Sequence, residues 1–336
     1  MASAGKDDAR PEISKVDLRG VKLGSQEWEE ARAAVFASME AIGAVVVTHD
    51  ALGADLRQAL FGHAMPEFFG LPLDVKRRLV SGAVNGYIER SPRAGLPAYE
   101  SVRIWETTDG VGGGGARNLS DGIWPHGCSA AFSETIGTFA KNMMDLERTV
   151  ATMILKSLGI REDHAAAHHE SIGHNVRLSH YCTLPEPGPA AGVSMQVHRD
   201  CNVLTTIVQH EVEGLEVQAG DGSWVAVPPE PDAVAIVAGE MLAVATNGRV
   251  PACVHRVRTP SNRERLSAQF VSMPKDGVTV RALDELVDDD HPLQYGPCNF
   301  SEYVDFRFAG DGRRLSGDTL KAFCGYDIGE VKHDEH

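Results

Sequence analysis

The spacing of hydrophobic positions changes character near residue 173. Before it, apolar residues recur every third or fourth position: Trp28, Ala31, Val35, Met39 and Ile42 form one such stripe, and Phe132, Ile136, Phe139, Met143, Leu146, Val150 and Met153 a longer one. This period predicts two amphipathic helices. Ser25, followed by Glu27, Glu29 and Glu30, caps and complements the first at its N-terminus, and Gly43 ends it. The second runs from Ser129 to Leu158, with Gly159 past its end. "ISKVDL" and "AVVVTH" flank the first helix as strands, and "ADLRQALFGHAMPEFFGLP" reads as a further helical stretch closing before Pro72. Residues 80–127 read as irregular, with "DGVGGGGARN" as a surface loop. A phosphate-binding loop would need G-K-[ST], or G-x-G-x-x-G between strand and helix, and neither is present.

After residue 173 short β-type runs alternate with turn residues: "NVRLSHYCTL", "SMQVHRD", "NVLTTIVQ", "GLEVQAGDGSWVAV", "AVAIVAG", "LAVATNGRV", "VHRVRTP" and "RLSAQFVSMP". Asp221–Gly222 marks a tight hairpin. Strands at this spacing predict an antiparallel sandwich or barrel, followed from Leu283 by helices and loops. The expected organisation is one folded unit: residues 1–172 mostly helical, 173–280 the β core, and 281–336 a capping segment.

Composition narrows the partners. Of 336 residues, 47 are acidic and 32 basic, a formal charge of −15, which argues against nucleic acid or an anionic membrane. A locally basic pocket for a small anion stays compatible with that surplus. Hydrophobic residues make up 43%, no run is long and apolar enough to span a bilayer, and the N-terminus has no signal-peptide h-region. Six cysteines without C-x-x-C spacing read as free thiols. A cytoplasmic protein, expected to be monomeric, follows.

The candidate chemistry lies in the β-rich part. In "QVHRDCNVLTTIVQ", strand alternation would put His198 and Asp200 on one face and Arg199 on the other. Such a pair is either half a metal site or a surface hydrogen bond. His255, in "PACVHRV", is a third candidate ligand. Two imidazoles and one carboxylate, with the opposite face open, suit non-haem Fe(II), which must also bind dioxygen and a second substrate. Catalytic zinc sites of similar make-up usually come from H-E-x-x-H on a helix. "HAAAHH" (His164 and His168) lacks that glutamate and reads as a solvated helix face. Arg265 and Ser267 share a strand face and form a ready carboxylate receptor, to which Tyr181 would add a hydroxyl.

These motifs, together with "NGRVPACVHRV", "AGEMLAVATNG" and "LPLDVKRRLV", resemble the plant 2-oxoglutarate/Fe(II)-dependent dioxygenases over nearly the whole chain. "NGYIERSPRAGLPAYESVRIW" is more similar to the branch containing glucosinolate side-chain dioxygenases than to gibberellin oxidases. The resemblance implies a double-stranded β-helix (jelly roll) core flanked by helices. It implies iron on His198, Asp200 and His255, and 2-oxoglutarate on Tyr181, Arg265 and Ser267. The reaction would hydroxylate or desaturate a small metabolite or hormone, consuming O2 and releasing succinate and CO2, with ascorbate as a possible reductant. Tyr87, Tyr99, Ile104 and Phe323 are the substrate-pocket candidates, from segments that cap the barrel mouth in relatives. Two departures stand out: Arg199 replaces the usual Thr or Ser, and only Tyr181 survives of the Asn-Tyr-Tyr-Pro run. The alternatives are a non-catalytic jelly-roll binding module and an ascorbate-dependent relative that does not use 2-oxoglutarate.

Overall fold

Two long helices precede residue 173, and so do four of the eight strands of the larger sheet. The computed structural model describes residues 13–79, 86–90, 98–105, 130–183, 193–260, 262–315 and 317–326. Helix α1 (Gln26–Ile42) joins β1 (Lys15–Asp17) to β2 (Ala44–Thr48). It begins where the Ser25 hydroxyl accepts a hydrogen bond from the Trp28 amide at 3.2 Å. It ends at Gly43, whose φ of 67° is left-handed and whose Cα lies against the Pro251 carbonyl, so a side chain would be both strained and obstructed.

The remaining strands of the large sheet are β3 (Gly86–Arg90), β4 (Tyr99–Trp105), β5 (Ile172–Tyr181), β7 (Leu204–Gln209), β10 (Ala233–Ala238) and β12 (Arg265–Pro274), in the order β1-β2-β10-β7-β12-β5-β4-β3. A second sheet contains β6 (Val193–His198), β11 (His255–Arg258), β8 (Leu215–Gln218) and β9 (Trp224–Ala226), in the order β6-β11-β8-β9. This is the expected jelly roll, with the β8–β9 hairpin at Asp221–Gly222. β3 and β4 correct the reading of residues 80–127 as irregular. "YESVRIW" puts Glu100 on the helix-covered face and Ser101 and Arg103 on the other, so no clean alternation marks it. Pairing with β5 makes it a strand. The glycine run at 109–118 lies outside the described residues.

Side-chain alternation divides the large sheet. Val102, Ile104, Val176, Leu178, Ala268 and Phe270 join the core beneath α1 and α2 (Ala130–Ser157). Both helices bury the stripes read from the sequence. The alternate positions, including Tyr181, Arg265, Ser267 and Ile207, face the second sheet.

One polar group crosses the helix–sheet layer. The buried Glu147 carboxyl of α2 accepts from Thr206 Oγ1 at 2.8 Å and also from Ser272 Oγ. Burial raises it from 4.5 to about 8, against the pull of both hydroxyls. The folded state therefore keeps a proton that the unfolded chain has lost. Its contribution to stability falls as pH rises from 4.5 to about 8 and levels off above. Glu147→Gln, measured by urea unfolding at several pH values, is expected to lack this decline. A parent-to-variant difference that does not change with pH would contradict it.

Candidate metal centre

His198 ends β6 and His255 begins β11, and the two are direct cross-strand partners with ring centroids 4.2 Å apart. Asp200 reaches them differently from the sequence reading. β6 stops at His198, and residues 199–203 turn before β7 starts, so no single strand carries His198 and Asp200 by a period of two. Backbone contacts made elsewhere hold the turn instead. The amides of Glu240 and Met241 donate to the Asp200 and Asn202 carbonyls at 2.8 and 2.9 Å, at the start of α3 (Glu240–Ala245), a helix and turn where "LAVATNGRV" reads as a strand. The Arg199 side chain is exposed and does not line the cavity.

Each donor group has one atom committed and one available. Thr205 Oγ1 donates to Asp200 Oδ2 at 2.6 Å and accepts from Asn202 Nδ2 at 2.7 Å. Nδ1 of His198 lies 2.8 Å from the Gln196 carbonyl, and Nδ1 of His255 lies 3.2 Å from that of Cys253. A proton on each Nδ1 satisfies those carbonyls and frees both Nε2 lone pairs. Asp200 Oδ1 is 3.6 Å from His198 Nε2 and 3.9 Å from His255 Nε2, and the ligand atoms of all three residues fall within 4.8 Å of one another. Burial, reinforced by His255, pushes His198 down to about 4 and keeps it neutral. Burial opposes ionisation of Asp200, but His255, His198 and the Thr205 hydroxyl together hold its carboxyl below the ordinary value. Two imidazole Nε2 lone pairs and a carboxylate can hold a divalent first-row metal.

The same cavity is lined by Tyr181, Arg265 and Arg177 and by the apolar side chains of Met195, Leu215 and Val257. Arg265 pairs across the sheet with Tyr181, and its guanidinium carbon lies 5.0 Å from the tyrosine ring centre. Its Nη1 donates to Ser267 Oγ at 3.3 Å and its Nη2 to Gln209 Oε1 at 2.9 Å. A β-carbon at Gly214 would come within 2.7 Å of Arg265 Nε, so the absence of a side chain there makes room for the guanidinium. Among the described residues, Arg265 Nε and Tyr181 Oη are buried without a hydrogen-bond partner. Each such group costs about 1–3 kcal/mol until something satisfies it. Two unmet donors beside a buried positive charge suit an anion.

The structure thus brings His198, Asp200, His255, Tyr181 and Arg265 to one cavity, with Ser267 against Arg265. Tyr99 borders it: its ring lies 4.8 Å from that of Tyr181, and its hydroxyl accepts from Arg177 at 2.5 Å. Tyr87 and Ile104 are placed elsewhere. Tyr87 pairs with Val102 and so lies on the helix-covered face, where its hydroxyl donates to Glu100 at 2.6 Å. Ile104 is in the core on that same face. Phe323 packs on Tyr303 and Phe306 in the C-terminal helices. "HAAAHH" lies on the helix Glu162–Glu170, where His164 meets Glu285 at 2.8 Å.

Sequence reasoning missed the supports of the site. Buried Glu240 accepts from Tyr303 Oη at 2.7 Å and from Arg307, both on α4 (Phe300–Phe308). Arg307 also donates to the Arg199 carbonyl at 2.7 Å, so a C-terminal helix clamps the turn that carries Asp200. Gln209 supports Arg265 in a similar way. No local signal marks these residues, because their partners are distant in sequence.

A jelly roll with two imidazoles and a carboxylate facing a buried arginine defines a mononuclear metal oxygenase. Comparison with known proteins gives the family. The 2OG-Fe(II) oxygenase superfamily model matches residues 173–274. The probable 2-oxoglutarate-dependent dioxygenase AOP1.2 of Arabidopsis thaliana is 30% identical over 92% of this chain and 94% of its own length. A rice dioxygenase for auxin oxidation superposes with a TM-score of 0.75 at 25% identity, over 93% of this chain and all of that one. The Arabidopsis thaliana dioxygenase for auxin oxidation 1, solved with 2-oxoglutarate, shares the fold at a TM-score of 0.71 and 23% identity, over 83% and 99% of the two chains. The chain belongs to the 2-oxoglutarate/Fe(II)-dependent dioxygenases, an oxidoreductase family that needs Fe(II) and 2-oxoglutarate.

Proposed function

We propose that His198, Asp200 and His255 hold the iron through Nε2, Oδ1 and Nε2, and that Arg265, Ser267 and Tyr181 hold the distal carboxylate of 2-oxoglutarate. The observation that carries this reading is the pair of unsatisfied donors, Arg265 Nε and Tyr181 Oη, buried in the cavity that contains the three ligand atoms. The bound metal and co-substrate supply dioxygen activation coupled to conversion of 2-oxoglutarate to succinate and CO2. The chain's own groups do the rest. Thr205 fixes the Asp200 rotamer, the two backbone carbonyls fix the imidazole tautomers, and Gln209 aims the Arg265 fork. Met195, Ile207, Leu215 and Val257 line the cavity with apolar surface that excludes water.

The substrate we propose is a small organic metabolite or hormone, hydroxylated or desaturated at a carbon held over the open metal face. The names of the auxin-oxidising and AOP relatives support this class. The whole site comes from one chain, so a monomer suffices. Among the described residues no helix is long and apolar enough to cross a membrane, and free thiols such as Cys182 and Cys201 fit a cytoplasmic setting. Purified protein with Fe(II), ascorbate and 2-oxoglutarate, given a panel of small acids and phenolics, is expected to release succinate slowly alone and faster with a substrate. No succinate release under any of these conditions would overturn the reading.

A further inference from the structure

We propose that Cys298 and Cys324 form a site of reversible oxidation, closed to a disulfide by hydrogen peroxide and reopened by a dithiol. The closed bond fastens the C-terminal helices that hold the metal-bearing turn. Cys298 is fully buried on the short strand Cys298–Asn299, where it pairs with Val280. Cys324 is half-buried at the end of α5 (Thr319–Cys324). Backbone contacts bring the two segments side by side. The Gly296 amide donates to the Cys324 carbonyl at 2.6 Å, the Tyr326 amide to the Gln294 carbonyl at 2.9 Å, and Tyr295 bridges to Gly325. In that arrangement the Cys298 thiol donates to the Cys324 sulfur. Among the described cysteines this is the pair whose sulfurs meet.

The two thiols suit different roles. Cys324 is reachable from solvent, and the hydrogen bond from Cys298 outweighs burial and the Glu240 and Asp318 charges to hold its thiol below the ordinary value. Cys298 is held above its own, first by that hydrogen bond and then by burial, and keeps its proton. The Cys324 thiolate therefore attacks the peroxide. An S–O bond forms, the O–O bond breaks, and the departing hydroxide takes up the proton Cys324 lost, as water. Cys298 then attacks the Cys324 sulfur. The S–S bond forms, the S–O bond breaks, and the Cys298 proton leaves with the hydroxyl as a second water. The position of the bond gives it a consequence at the metal centre. α4 starts at Phe300, just past Cys298, and carries the Tyr303 and Arg307 contacts to Glu240 and to the Arg199 carbonyl. α5 packs on it through Phe323, whose ring lies 5.3 Å from those of Tyr303 and Phe306. A bond from Cys298 to Cys324 ties the start of one helix to the end of the other.

The test treats the reduced full chain with hydrogen peroxide before iron is added, blocks the remaining thiols with N-ethylmaleimide, and maps the peptides without reductant. The expected product is a peptide carrying Cys298 joined to one carrying Cys324, lighter by two hydrogens and separated again by dithiothreitol. Cys298→Ser keeps a donor to the Cys324 sulfur but cannot close the bond. In that variant dimedone is expected to capture a sulfenic acid at Cys324, whereas Cys324→Ser should leave Cys298 unlabelled. The oxidised parent is expected to melt a few degrees above the same sample after dithiothreitol, because the bond restricts the unfolded chain. Both thiols of the folded parent staying open to alkylation after peroxide would overturn the proposal, whatever the variants do. So would a cross-link to a different cysteine, a link that dithiothreitol leaves in place, or dimedone at Cys298 rather than Cys324. An oxidised form that melts no higher than the reduced one would overturn the fastening of the C-terminal helices.

Discussion

Alanine at His198, Asp200 or His255 is expected to remove most bound iron and all measurable turnover while the protein stays folded. Two nitrogens and one oxygen are few ligands for a divalent ion, so losing any one leaves an incomplete set. The fold should survive because the three side chains stand outside the hydrophobic clusters that hold the sheets and helices together. Asp200→Ala forfeits the Thr205 hydrogen bond, yet the turn keeps its two backbone bonds to the start of α3. Iron per chain by a chelator assay, beside a thermal melt, gives both readings. An unfolded variant, or one with the parent's activity, would contradict the assignment.

Arg265→Ala is expected to raise the 2-oxoglutarate requirement steeply with little change in iron affinity. Truncating the charged partner of a buried carboxylate costs roughly 2–5 kcal/mol, about thirtyfold to several thousandfold in affinity. Ser267, Tyr181 and Gln209 remain, but none supplies a charge. The KM for 2-oxoglutarate should rise while iron content holds. An unchanged response to 2-oxoglutarate would show that Arg265 is not the anchor.

What the sequence made legible follows from how far each signal reaches. α1 and α2 were readable because their buried stripes, Trp28 to Met39 and Phe132 to Met153, are periodic over many turns. β3 and β4 were not, because β4 is a strand through its pairing with β5, and β3 through its pairing with β4, while their own residues mix polar and apolar on both faces. The ligand residues stood out by chemical type, although the geometry that unites them is a turn seated on α3 rather than one strand. The substrate-pocket candidates show the same limit. Whether Tyr87 or Tyr99 faces the metal is set by strand register, and register puts Tyr87 on the helix side and Tyr99 beside Arg177. Glu240, Arg307 and Gln209 act through partners far along the chain.

The central claim is that one cavity holds iron on His198, Asp200 and His255 and the far end of 2-oxoglutarate on Arg265. Anaerobic addition of Fe(II) and then 2-oxoglutarate, followed by the visible absorption of their chelate, tests it most directly. The expected result is a saturable absorption at one iron per chain, lost in Asp200→Ala and reached only at much higher 2-oxoglutarate in Arg265→Ala. No absorption in the parent, or the same absorption in Asp200→Ala, would contradict it.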